Sequence, residues 1–264
     1  MSQELPLVSV LTTVKNGAKS ISSTIDSVIN QNYLNIEYIV IDGGSTDNTV
    51  AVIKETVNSR VQVISEIDNG VYYGMNNAIS KAKGDIIAIL NCGDCFIDNG
   101  VIGKVVDLYN KTNNKITVFN GGIRLVDNNG RTLADIVRTK SIMRLKYFIM
   151  PINHPAFFVT KEVYEKYGTF NTNFRVAADY ELVLRLSKKN VQFCFFPYLC
   201  TAVAPLGISS YSENTKMILK EGYNVRALYI PPFLNISIDY LLAVILALGS
   251  LKDKIKEYLN YNKT

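Results

Sequence analysis

The first hundred residues repeat one pattern: a short, nearly uncharged apolar run, a polar break, then a longer amphipathic stretch. LVSVLTT (7–13), IEYIVID (36–42), VQVISE (61–66) and DIIAIL (85–90) are the apolar runs. They lack the strict in–out alternation of a half-exposed strand, so they predict strands covered on both faces. Between the first two, Ala18 to Gln31 carries Ile21, Ile25, Val28 and Ile29 at helical spacing. Further helices are expected over 48–57 and along VYYGMNNAISKA (71–82). Strand and helix in this order predict an α/β fold with a doubly wound, mainly parallel sheet, in which ligands bind beyond the carboxyl ends of the strands.

Every acidic or glycine-rich signal of this half falls at such an end. Asp42 closes the second strand and opens the loop 42-DGGSTDNT-49, Asp68-Asn69-Gly70 follows the third, and Gly93-Asp94 follows the fourth. These residues are expected to converge in one cleft.

After Asp98 the rhythm changes. Asn129-Gly130, between LVD and TLADIV, reads as a hairpin turn and brings in antiparallel strands. AFFVT (156–160) and VQFCFF (191–196) are further strand candidates, with a helix from Asp179 to Lys189 between them. No low-complexity linker separates the parts. The expected division is a ligand-binding half over 1–98, a second half of the same domain over 99–225, and a hydrophobic, basic helical tail over 226–264.

Charge narrows the partners. Twenty-eight Lys plus Arg against 23 Asp plus Glu give +5, with no long basic run before the tail, which excludes a dedicated nucleic-acid binder. Small anionic molecules or an anionic membrane surface fit better. MSQELPLVSV has no secretory pattern, so a cytosolic location is expected, at most peripheral on the inner face of the cell membrane. In the tail, the uncharged run Tyr240 to Leu251 is shorter than the ~20 residues a spanning helix needs. Two readings stand: a segment lying in the membrane interface with Lys252, Lys254 and Lys256 toward anionic headgroups, or a helical hairpin packed on the domain or on a second subunit.

The chemistry centres on 92-CGDC-95. A C-x-x-C after a strand can be a redox dithiol, but such devices follow an early strand of a small domain, and this one comes after three β-α units. Zinc would need four ligands; Cys194 sits among phenylalanines and the chain has a single histidine. Cys92, Cys95, Cys194 and Cys200 are therefore read as reduced, with Cys92 and Cys95 as filler around Asp94. At a strand end, Asp94 is either one ligand of a hard cation completed by substrate phosphates, or a turn aspartate. Asp42 is either an acceptor for a nucleobase N–H or part of a generic β-α turn. In 175-RVAADYELVLRL-186, Asp179 shares a helical face with Leu182, Val183 and Leu186, while Glu181 and Arg185 pair at i,i+4 and mark the expected solvent face. Asp179 is then either an inward-facing base or a helix cap. His154 is either a substrate contact or structural.

Together, 8-VSVLTTVKN-16, 37-EYIVIDGGSTDNT-49, 66-EIDNGVYYGMNNAI-79, 84-GDIIAILNCGD-94, 154-HPAFF-158 and 177-AADYELVLRL-186 resemble the family 2 glycosyltransferases, over roughly residues 7 to 210. The resemblance is to bacterial members that build surface polysaccharides. It implies a GT-A type fold, the doubly wound sheet continuing into a mixed, antiparallel acceptor-side part. It also implies an inverting transfer from a nucleotide-diphospho-sugar to a lipid-linked saccharide acceptor. Thr12, Val14, Asn16, Asp42, Asp68, Asn76 and Gly93 would hold the donor, Asp94 would hold Mn²⁺ or Mg²⁺, Asp179 would be the catalytic base, and His154 and Arg175 would meet the acceptor. The chain departs from the family pattern at Gly93 and Asn91, where acids are common, and at Tyr72-Tyr73-Gly74-Met75-Asn76, where many members read Tyr-Asp-Ala-Met-Asn. The competing reading is a non-catalytic relative that binds a nucleotide sugar or glycan.

Overall fold

The computed structural model describes residues 5–56, 61–66, 69–112, 116–203 and 208–244. Its first part follows the expected alternation. β1 (Val8–Val14) is buried along its whole length, as a strand covered on both faces must be. α1 (Ile21–Ile29), β2 (Ile36–Asp42), α2 (Thr49–Thr56), β3 (Val61–Ser65), α3 (Val71–Lys81) and β4 (Ile86–Ile89) follow, with the four strands parallel in the order β3-β2-β1-β4. Alternate side chains feed two cores. Val8, Val10 and Val40 meet Ile21, Ile25 and Val28 of α1 on one face, and Leu11, Ile39 and Ile41 meet Met75, Ala78 and Ile79 of α3 on the other. α1 is shorter than the expected 18–31. Asn16 takes a left-handed φ of 56° and the Gly17 carbonyl accepts the N–H groups of Ser20 and Ile21, so the chain turns before the helix begins.

The second part is mixed, as expected. β5 (Cys95–Phe96), α4 (Val101–Lys111), β6 (Thr117–Val126), β7 (Thr132–Ile136), β8 (Phe157–Thr160), α5 (Lys161–Tyr167), α6 (Ala178–Lys188), β9 (Gln192–Val203) and α7 (Ile208–Ala227) complete it, with 3-10 turns at Lys140–Leu145 and His154–Ala156. β8 runs antiparallel to both β4 and β6, and so joins the parallel strands to the rest in one sheet, β3-β2-β1-β4-β8-β6-β9-β5, with β7 paired to β6. The sheet thus runs unbroken across residue 98. The hairpin expected at Asn129-Gly130 joins β6 to β7; the Asp127 carboxylate accepts the N–H groups of Asn129 and Arg131, and Gly130 sits at φ 76°.

One expectation is corrected. The Glu181–Arg185 pair does not mark the solvent face of α6, because Glu181 is only 3% exposed. Arg185 donates to the carbonyls of Tyr167, Gly168 and Thr169, and the Tyr229 hydroxyl donates to Glu181, so the pair ties α6 to the end of α5 and to the C-terminal segment. Helices offer i,i+4 partners on every face; here burial is tolerated because both charges are matched and their remaining hydrogen-bonding capacity is used.

The C-terminal segment is also tied down further than a free tail would be. Arg226, 4% exposed, donates from Nε to Asn235 at 3.0 Å and from Nη2 to Asp239 at 2.9 Å, which seats the helix described over 232–244 against α7. LKDKIKEYL and its lysines, Lys252, Lys254 and Lys256, lie outside the described residues. Among those described, no helix is long and apolar enough to cross a membrane.

Candidate active site

The carboxyl ends of β1 and β4 open onto a cleft of about 280 Å³ lined by Thr13, Val14, Lys15, Asn91, Cys92 and His154, together with Val71, Tyr72 and Met75 from the start of α3. A neighbouring hollow of about 300 Å³ shares Thr13, Val14, Lys15 and Val71 and reaches Asn69 and Gly70. The floor is built by the loops after β1 and β2, which are stitched together. Asn16 Oδ1 accepts the Thr46 N–H at 2.8 Å, the Asn16 N–H reaches Ser45 Oγ at 2.8 Å, and the Gly17 N–H reaches Thr49 Oγ1 at 2.8 Å. Asp47 caps the start of α2 through the Thr49 N–H at 3.0 Å, and the Thr49 hydroxyl holds its carboxyl below the usual carboxylate range. Asp42, 1% exposed, accepts from the Ser45 N–H at 3.3 Å and the Ser65 hydroxyl at 2.9 Å.

Asp94 follows the cleft residues Asn91 and Cys92 and is 7% exposed. Burial pushes its pKa up to about 7, against a smaller lowering by a hydrogen bond from the Asn91 side chain. Gly93 before it stands at φ 97°, with its N–H on Thr24 Oγ1 at 2.9 Å. That left-handed backbone favours glycine over an acidic side chain at this position. Among the described residues no group of three or more His, Cys, Asp or Glu could hold a metal. The donor set nevertheless fits a hard divalent cation of the Mg²⁺ or Mn²⁺ kind, which accepts one carboxylate when a ligand's phosphates supply the remaining oxygens. Asp94, buried and only weakly compensated, is the carboxylate suited to it.

The thiols fit the reading of reduced bystanders. Cys92 and Cys95 are free, and burial raises the pKa of both, which disfavours the thiolate a redox dithiol needs.

On the other part of the chain, Asp179 sits in the first turn of α6. Its Oδ1 accepts from the Tyr72 hydroxyl at 3.2 Å, and Tyr72 lines the cleft, so α3 joins Asp179 to the same hollow. Burial, and after it the Asp179 charge, raises the Tyr72 pKa well above the usual phenol range, which keeps it a donor. His154 lines the cleft directly; its Nδ1 is buried with no hydrogen-bond partner among the described residues, and its ring packs edge-on to Phe170 at 6.2 Å between centroids.

The structure does not bring all the expected residues together. Thr12 lies beneath the cleft with its Oγ1 on the Leu90 carbonyl at 2.8 Å and the Tyr38 hydroxyl at 3.0 Å. Asn76 clasps the backbone of Phe170, Nδ2 to its carbonyl at 2.8 Å and Oδ1 to its N–H at 3.0 Å, and so braces the ring that packs on Tyr72 and His154. Val14 lines the cleft, Asn16 serves the loop contact above, and Arg175 is exposed. Asp68 lies outside the described residues. Sequence reasoning missed Asn91 and Tyr72 as cleft residues, although both lie inside the quoted blocks, after a strand end and at a helix start.

This arrangement can be set beside known proteins. The chain matches the description Glycosyl transferase family 2 over residues 9–168, more than half its length. It is a family 2 glycosyltransferase. An uncharacterized glycosyltransferase of Mycobacterium tuberculosis is 32% identical to this family 2 chain over 185 residues, covering 68% of each protein. The chondroitin synthase of Pasteurella multocida is 28% identical over 186 residues, 70% of this chain but 19% of the synthase. Two uncharacterized Rickettsia glycosyltransferases are matched over 28% and 31% of their lengths, so the chain spans under a third of them. Among solved structures, S. aureus TarS 1-349 in complex with UDP-GlcNAc superposes with a TM-score of 0.67 at 15% identity, over 90% of this chain and 71% of that one. The mannosyltransferase PcManGT from Pyrobaculum calidifontis, in complex with GDP-Man and Mn²⁺, gives 0.65 at 16% identity, over 98% and 84%. At such identities the structural likeness speaks for the fold of the glycosyltransferase, which is the GT-A type.

Proposed function

We propose that this chain is an inverting, metal-dependent glycosyltransferase that moves a sugar from a nucleotide-diphospho-sugar to a saccharide acceptor, lipid-linked, in the assembly of a surface polysaccharide. One observation carries the reading: a cleft at the strand ends has a buried, weakly compensated carboxylate, Asp94, beside its lining residues, and a second carboxylate, Asp179, hydrogen-bonded to its wall. The family membership supports it, as do relatives named for UDP-GlcNAc, GDP-Man with Mn²⁺, and chondroitin synthesis.

Each part of the cleft then has a task. The loops after β1 and β2 receive the nucleoside, with Asp42 near the base and Val14 and Asn16 shaping the pocket. Lys15 brings positive charge to the cleft where the diphosphate lies. Asp94 would hold Mn²⁺ or Mg²⁺, which when bound would supply positive charge against the diphosphate leaving group. Asp179 takes the proton from the acceptor hydroxyl as its oxygen attacks the anomeric carbon, the bond to the diphosphate breaks, and one in-line displacement inverts the centre. Tyr72 fixes the Asp179 carboxylate through its hydroxyl, and His154 and Arg175 are assigned to the acceptor. The test is a binding screen of UDP- and GDP-sugars with and without Mn²⁺. Affinity for one donor, strengthened by the metal, is expected; no affinity for any nucleotide sugar would refute the reading.

A peripheral membrane contact belongs to the same proposal. On the 232–244 helix, Asn235 and Ile238 face the protein, while Phe233, Ile236 and Tyr240 are 66%, 58% and 74% exposed. Replacing these three by serine is expected to abolish salt-sensitive sedimentation with anionic phosphatidylglycerol vesicles while leaving donor affinity unchanged. A native chain that never sediments with such vesicles would end the interfacial reading.

A further inference from the structure

The α6 helix that carries Asp179 starts without a conventional cap. Its N-cap position is Ala177, which has no side-chain oxygen to offer the free N–H groups of a helix start. A residue from α7 takes over that end of the chain. Glu221 Oε1 accepts the Arg175 N–H at 2.9 Å, and its Oε2 accepts the N–H groups of Val176 at 2.9 Å and Ala177 at 3.0 Å. Three N–H bonds to one carboxylate are charge-assisted, and they act on the backbone that ends two residues before Asp179. Val225, one turn further along α7 and fully buried, packs with Ala177 and Leu184, so the same helix grips α6 through apolar contact as well.

We propose that Glu221 is a positioning residue for transfer: it fixes the start of α6 and thereby holds the Asp179 carboxylate against Tyr72 at the cleft. This rests on the assignment of Asp179 as the base. Glu221 touches none of the reacting atoms and acts only through the placement of Asp179. Proton transfer demands hydrogen-bond reach between base and hydroxyl, and a displacement of about 1 Å can cost about 10²-fold in rate.

The experiment uses the full chain with Mn²⁺ and either UDP-GlcNAc or GDP-mannose, water standing in the place of the acceptor hydroxyl. Glu221→Ala, Glu221→Gln, Asp179→Asn and the double variant Asp179→Asn with Glu221→Ala are compared for donor KM, kcat and amide hydrogen exchange at residues 175–179. Glu221→Ala is expected to speed exchange there and to lower kcat about 10- to 100-fold at unchanged donor KM. Glu221→Gln, which keeps one acceptor oxygen and the shape, should fall between Glu221→Ala and the native chain. In the Asp179→Asn background, Glu221→Ala should lower kcat no further, because its route through Asp179 is already gone. Unchanged exchange at 175–179, or an equal loss of kcat in both backgrounds, overturns the positioning role. A native rate for Asp179→Asn alone would instead remove the base assignment, so the two failures are told apart.

Discussion

Asp179→Asn is expected to lower sugar transfer by ~10²- to 10⁴-fold, the usual cost of losing a general base, with donor affinity unchanged. Stability should barely move. The asparagine oxygen can still accept from the Tyr72 hydroxyl, now 3.2 Å from Asp179 Oδ1, and from the Tyr180 N–H at 2.8 Å. Asp179→Ala provides the contrast. It strips the partner from a hydroxyl on a residue only 8% exposed, at a cost of ~1–3 kcal/mol, so it should lose both stability and rate. Denaturant melts and transfer rates on the two variants separate a base from a residue that merely holds α3 to α6. Retained transfer in Asp179→Asn beside lowered stability in Asp179→Ala would show the latter.

The second large effect belongs to Asp94. Its carboxyl titrates near pH 7 in the folded chain against 3.8 for the ordinary group, so between these values the folded state holds a proton that the unfolded state has released. Stability from this group is therefore greatest at acid pH and is lost as pH rises toward 7, the opposite of a salt-bridged aspartate. Between pH 5 and pH 8, without metal, the native chain should lose about 3 kcal/mol from this source, and Asp94→Asn should lose none of it. Above pH 7 the variant should thus be the more stable protein in chelator and the one that Mn²⁺ no longer helps. Urea melts at the two pH values with EDTA and with Mn²⁺ measure this directly. A native chain whose stability rises from pH 5 to pH 8 as much as the variant's would remove the buried, weakly compensated carboxylate from the account. The charge that lowers stability without metal is the one proposed to hold the cation.

The sequence was most legible where burial alone dictates pattern. β1, β2 and β4 are covered on both faces, so their apolar runs stood out, and Asp42 closes β2 while Asp94 follows β4, both toward the carboxyl ends of the sheet. Contacts between distant residues were not legible. Asn76 carries a motif asparagine's signal, yet its amide is spent on Phe170, 94 positions away. Glu181 and Arg185 have the spacing of a surface pair, and their burial follows from partners far along the chain, Tyr229 48 positions beyond Glu181 and the carbonyls of Tyr167 to Thr169 16 to 18 positions before Arg185. Thr12 differs from its neighbour Thr13 only in which way the pleat turns it, toward Leu90 and Tyr38 instead of the cleft. Glu221 has no local signal at all, because the backbone it caps lies 44 to 46 positions before it. Local pattern thus reports burial and strand ends, whereas the supports of a site come from whatever the fold brings beside it.

The most direct test of the central claim is nucleoside diphosphate release from UDP- and GDP-sugars by the native chain and by Asp94→Asn, each with Mn²⁺ and with EDTA. The account predicts release by the native chain with Mn²⁺ from one donor, and its loss both in EDTA and in the Asp94→Asn chain. Equal release by the two chains, or release that EDTA does not diminish, would contradict it.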